Sequence, residues 1–306
     1  MMGTYERPEY DQAREDAGFA WRVSAGQGAY RALSGVPIHA FNLDPEQCIR
    51  AHRVGRERVA EVFGDVVQLA GPATPAISYG HANGLGAELI FPEGGEVAHT
   101  HPFEALSLEE ATQRLRQPID WETQGVAPEQ LACRDTMAVA FPGEAIGFGY
   151  GMEGPITTAY ELLGERLFTE LHDGRDQMPA FLDAVADSIV DFHLWREAMA
   201  GRLRAETVAA TGAADETTWG QVTGDAAIDR SARAQLSPHA GGMVDDIASM
   251  VHPGMWPEMV MPSWERYFDG ITTGRRSAHV EDLRKEQLPY LEQIGLSSYD
   301  PSISHK

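Results

Sequence analysis

Apolar and polar positions along the chain alternate with two spacings. Residues 36–43 (VPIHAFNL) set apolar against polar positions as a strand does. The Asp44-Pro45 pair then starts a helix with proline in its first turn, and that helix runs through RAHRVGRERVAEVFG to a stop at Gly64. Residues 66–69 (VVQL) are short and apolar, as a buried parallel strand is. A glycine-rich loop, SYGHANGLG, leads into a further strand, AELIFPEGGE, and then into an exposed, proline-punctuated stretch to about residue 140. Residues 145–150 (AIGFGY) predict a buried strand, and MEGPIT turns it into the helix TTAYELLGERLFTELHDG. In MPAFLDAVADSIVDFHLWREAM the apolar residues Phe181, Val185, Ile189 and Phe192 recur at helical spacing.

Residues 1–20 predict a loose arm, and residues 206–238, rich in Ala, Thr, Gly and Asp, predict a surface excursion. Order returns with GGMVDDIASM, the helix GMWPEMVMPSWERYF, the strand RRSAHVE, the helix EDLRKEQLPYLEQIG and a last strand, LSSYD. Repeated alternation of strand and helix predicts an α/β protein with a parallel sheet. A closed barrel and a doubly wound open sheet both satisfy this pattern.

Composition narrows the function. With 306 residues the chain is long enough for one α/β barrel, and 43% hydrophobic with 23% charged residues is ordinary for a globular protein. It has no run of about 18 apolar residues, and its first residues, MMGTYERPEYDQARED, are polar and acidic, the opposite of a signal peptide. A cytoplasmic protein is therefore expected. The net charge is −22, and Lys285 and Lys306 are the only lysines. Such a surface repels phosphate backbones and anionic membranes, so neither nucleic acid nor membrane is expected as a partner. Cys48 and Cys133 fit neither a disulfide framework nor a CxxC metal pair, and read as reduced small hydrophobes.

Four collinear segments resemble the uroporphyrinogen decarboxylase-like superfamily. They are LGAELIFPEGG (85–95), GMEGPITTAYELLGERLFTELHDGRDQMPAFLDAV (151–185), DDIASMVHPGMWPEMVMPSWERYF (245–268) and HVEDLRKEQLPYLEQIGLSSYDP (279–301). The resemblance implies a single (β/α)8 TIM barrel over residues 1–306 with its active site at the barrel mouth. The family continues for several tens of residues past the position of Lys306, so the barrel is expected without its closing strand and helix. A homodimer that covers the open sheet edge follows from that expectation.

The superfamily holds porphyrinogen decarboxylases and zinc-binding corrinoid or thiol methyltransferases. The decarboxylases carry an RQAGRY-like segment that grips substrate carboxylates, where this chain reads AWRVSAGQGAYRALSG with Arg22 and Arg31 alone. An acidic protein without that cradle is a poor match for a multiply carboxylated porphyrinogen. The zinc-binding members carry His-x-Cys where this chain has His279 and Glu281. A thiolate zinc site is thereby excluded, and a harder nitrogen–oxygen site stays open.

Candidate chemistry gathers at predicted strand ends. His279 and Glu281 share a strand face and are candidate ligands for zinc, manganese or iron. Asp245 and Asp246 end another strand: Asp245 is the candidate third ligand or general base, and Asp246 a candidate substrate contact, with one of the two capping the next helix. Glu153, in the turn after AIGFGY, is a second catalytic candidate. His39, His81 and Asn83 are candidate substrate contacts, whereas His99 and His101 read as surface. Met255, Trp256, Met259 and Met261 read as helix packing.

The expectation is a metal-assisted methyltransferase that takes a methyl group from a small O- or N-methylated compound to an acceptor on a partner corrinoid protein. The alternatives are a metal-free decarboxylase or lyase of a small carboxylic acid or porphyrinogen, and a non-catalytic binding barrel.

Overall fold

A computed structural model describes Asp16 and residues 23–64, 66–211, 237 and 240–301, with backbone alone at residues 201 and 203–211. The expected arm at 1–20 lies outside the described residues except for Asp16. The expected excursion at 206–238 does too, except for the helical backbone to residue 211 and Ser237.

In chain order the first elements are β1 (Ser24–Ala25), α1 (Gln27–Ser34), α2 (Ile38–Leu43), α3 (Pro45–Phe63) and β2 (Gln68–Leu69). Next come α4 (Gly80–Gly84), β3 (Leu89–Ile90), β4 (Ala98–His99), α5 (Leu108–Leu115) and α6 (Ala127–Ala140). The helices α7 (Pro155–Leu163), α8 (Arg166–Asp173) and α9 (Met178–Thr211) follow. The last elements are β5 (Ala240–Val244), α10 (Trp256–Ile271), β6 (Arg275–His279), α11 (Leu288–Gln293) and β7 (Leu296–Asp300).

Helix dominates, and the described residues carry sheets of two, two and three strands. The expected eight-stranded parallel barrel is therefore corrected. Its physical root lies in short apolar runs, which fit a buried strand and a helix face equally well. Residues 36–43 are the clearest case. Pro37 holds the extended N-cap position of α2, Phe41 donates its backbone N–H to the Pro37 carbonyl, and Ile38 and Phe41, three apart, fall on one helix face. The expected strand at 145–150 shrinks to two isolated parallel bridges, Ala73 with Gly147 and Ile77 with Tyr150. The expected loop at SYGHANGLG contains the short helix α4.

The chain divides into two compact units. One comprises Met1–Ala76, Phe91–Val97 and Glu129–Gly149. Here α1 packs on α3. A Cβ at Gly55 would stand 2.3 Å from the Tyr30 Cα, so the two helices touch where only glycine fits. As expected, α3 starts at Asp44, whose carboxylate accepts the Glu46 N–H at 2.9 Å, and stops at Gly64 in a positive-φ conformation.

The other unit comprises Ile77–Ile90, Ala98–Pro128 and Tyr150–Lys306. The long helix α9 packs against α5, α7 and α10. Phe181, Val185, Ile189 and Phe192 are fully buried along it, as their spacing predicts. The strands β5, β6 and β7 pair in parallel in chain order, with α10 and α11 as the connections between them. Among the described residues no helix is long and apolar enough to cross a membrane.

Candidate functional site

Parallel pairing brings the ends of β5, β6 and β7 side by side. Val244 pairs with His279, and His279 with Asp300. The Asp245 N–H extends the ladder to the His279 carbonyl at 3.0 Å. A cavity of about 620 Å³ opens at these ends, lined among others by Glu153, His193, Arg196, Tyr267, His279 and Asp300. Strand C-termini are where α/β units usually place their ligands.

Glu153 lies in the turn before α7, beside the side chain of Ser78. Burial first, and then the charges of Asp245 and Asp246, push its carboxyl up to about 8, so it holds its proton at neutral pH. One helix supplies the opposite sign. His193 and Arg196 sit three apart on α9, and burial followed by the neighbouring Arg196 takes the His193 imidazole down to about 4. Burial also lowers the Arg196 pKa, but a guanidinium keeps its charge in proteins. Tyr267 donates its hydroxyl to the Gly242 carbonyl at 2.8 Å and fixes that wall to β5. Behind Glu153 lies Glu161, buried, with neither carboxyl oxygen hydrogen-bonded among the described residues. Burial and then the charges of Glu153 and Asp245 raise its pKa well above the usual carboxylate range.

Three carboxylates surround His279. Its Nε2 lies 3.7 Å from Asp246 Oδ1 and 3.9 Å from Glu281 Oε1, and its Nδ1 lies 3.2 Å from Asp300 Oδ2. The resemblance implies a metal here, and the donor positions test it. Ligands bound at 2.0–2.2 Å around one tetrahedral ion stand about 3.4 Å apart. The two oxygens on the Nε2 side lie a little beyond that spacing, which a wider angle at an ion would accommodate, but Asp300 serves the other ring nitrogen. Among the described residues no group of three or more His, Cys, Asp or Glu side chains is placed to hold a metal ion. As placed, His279 and its neighbours do not form such a group.

Asp245, the expected third ligand, turns away from His279. It is fully buried, and Oδ1 accepts the Thr157 N–H at 2.6 Å. Oδ2 accepts the Ile156 N–H at 3.2 Å and the Trp264 Nε1–H at 2.6 Å. The carboxylate thus caps α7 from another element, where orphan backbone donors and the helix dipole favour a negative charge. Burial outweighs these bonds and raises its pKa to about 6. Asp246 points the other way, and its Oδ1 accepts the Glu281 N–H at 2.9 Å.

The candidate substrate contacts scatter. His81 is buried between Trp121 and Phe192, shares a hydrogen bond with the Ser188 hydroxyl at 2.9 Å, and is pushed by burial down to about 3. Asn83 uses its oxygen on the Tyr150 hydroxyl and the Val126 N–H, and its amide on the Ala87 carbonyl. Both hold structure together. His39 belongs to the other compact unit. His99 and His101 are half-buried rather than on the surface: His99 packs against Tyr79 with the rings tilted, and His101 Nδ1 meets the Glu161 carbonyl at 2.9 Å.

His193, Arg196 and Asp300 were not among the candidates drawn from the sequence. A signal was available: a histidine and an arginine three apart inside the apolar run of α9, and a carboxylate closing the last predicted strand. No protein-family model matches the chain, and no curated protein matches it.

Proposed function

We propose that this cavity is the active site of an enzyme acting on a small carboxylic acid, of the carboxy-lyase type and independent of metal. One observation carries the reading: a half-buried carboxyl that keeps its proton at neutral pH, Glu153, lines the same cavity as the guanidinium of Arg196. Arg196 holds a substrate carboxylate, since a guanidinium presents paired donors to two oxygens. The bond between the reacting carbon and a departing carboxylate breaks, and its electron pair stays on that carbon. Glu153 delivers its proton there as carbon dioxide leaves, and solvent returns a proton to Glu153. Proton delivery by a placed acid contributes about 10²–10⁴-fold in rate.

The test is turnover of a panel of small mono- and dicarboxylic acids, read by carbon dioxide release and by mass of the product. A substrate from the panel should lose most of its turnover in Glu153→Gln, and Arg196→Gln should raise its KM. Release of methyl groups from O- or N-methylated compounds to a corrinoid acceptor, with no carboxylic acid consumed, would replace this reading with the methyltransferase one.

A further inference from the structure

The sequence treats Cys48 and Cys133 as two separate small hydrophobes, 85 positions apart by subtraction of their numbers. In the unit that contains α3 they meet. Cys48, on α3, is fully buried, and Cys133, on α6, is 6% exposed. Both belong to one apolar cluster with Phe41, Ile49, Met137 and Phe141. The Cys48 Sγ lies 3.8 Å from the Sδ of Met137, which follows Cys133 by one turn on the same face of α6. Through Met137 and the shared cluster, the two thiols lie close together in one part of the core.

That closeness divides their acidity. Contact with Cys48 lowers the Cys133 pKa, while contact with Cys133 and burial raise that of Cys48. Cys133 is also the more exposed of the two, so it is the thiol that a small oxidant meets first.

We propose that Cys48 and Cys133 are a modification site at which a hydroperoxide closes an internal disulfide joining α3 to α6. The Cys133 thiol gives up its proton and its sulfur attacks hydrogen peroxide; the O–O bond breaks, Cys133 becomes a sulfenic acid, and the departing hydroxide takes that proton and leaves as one water. The Cys48 sulfur then attacks the sulfenyl sulfur, and the S–S bond forms. The displaced hydroxide takes the Cys48 proton and leaves as a second water, so the peroxide gains the two electrons that the thiols lose.

Native protein treated with hydrogen peroxide, denatured, labelled with N-ethylmaleimide and mapped by mass spectrometry tests this. The expected chain is lighter by two hydrogen atoms, takes no label and yields a linked Cys48–Cys133 peptide. Dithiothreitol should restore two labelled thiols. Two labelled cysteines after oxidation, sulfinic acid without a linked peptide, or linkage between chains would overturn the proposal. In Cys48→Ser, Cys133 should react with dimedone after peroxide, and an unreactive Cys133 in folded variant would overturn the order of attack. The wild-type peptide map decides the linkage whether or not that variant folds.

Discussion

Asp245 accepts the Thr157 backbone N–H at 2.6 Å, so the last carboxylate of β5 belongs structurally to the start of α7. With Ile156 and Trp264 it satisfies three donors inside the protein. Asp245→Ala would strand them all, and leaving a buried donor unsatisfied costs about 1–3 kcal/mol each. A loss of at least about 2 kcal/mol in urea denaturation is expected, larger than for Asp246→Ala on the exposed side of the same turn. Equal losses would mean that the cap does not hold α7.

The capping carboxylate needs Gly154 beside it. A Cβ there would stand 2.5 Å from the Asp245 Cβ and 2.8 Å from the Met243 Cγ. Gly154→Ala should destabilise by about 1–3 kcal/mol, the usual cost of overpacking. It should also enhance amide hydrogen exchange over the first turn of α7, and unchanged exchange there would show that the contact relaxes without disturbing the cap.

What was legible in the sequence follows from which signals are local. The α3 boundaries rest on Asp44, Pro45 and Gly64, and the burial of α9 on a long apolar period, so both were readable. Residues 36–43 and 145–150 were not, because a short apolar run does not say whether its partner is a helix or a neighbouring strand. At the site, the strand-end rule found Glu153 and His279, which the cavity brings together. It could not tell which way Asp245 points, since adjacent strand-end carboxylates face opposite sides and only the packing of Trp264 and α7 decides between them. Arg196 escaped because a helix that reads as core hides a polar residue turned toward a cavity.

His279 and its three carboxylates give a prediction about metal. Among the described residues no group of three or more such side chains is placed to hold an ion, and Asp300 occupies the Nδ1 side. Protein dialysed against a chelator should keep its Tm, and zinc, manganese or iron added back should not raise it. A Tm increase that saturates at one ion per chain and disappears in His279→Ala would restore the metal site that the sequence led one to expect.

Glu153 makes stability fall as pH rises. In the unfolded chain its carboxyl titrates at about 4.3, and in the folded protein at about 8. Between those values the folded state holds a proton that the unfolded state has lost, so the slope of unfolding free energy with pH is negative there. The contribution is complete below about pH 4, where both states are protonated, and is lost progressively as pH approaches 8. Asp245, raised to about 6, adds to the same trend over the lower part of that window. On the order of a few kcal/mol is at stake for a shift of this size. Glu153→Gln stays neutral throughout, so its stability should fall less steeply with pH than that of wild type between about 4.3 and 8, while the contributions of Glu161, Asp245 and the lowered histidines are common to both proteins. Urea denaturation of both proteins at intervals across pH 4–8 measures this. Parallel curves for wild type and variant would show that Glu153 is ionised in the folded protein and would remove the proton donor from the proposed reaction.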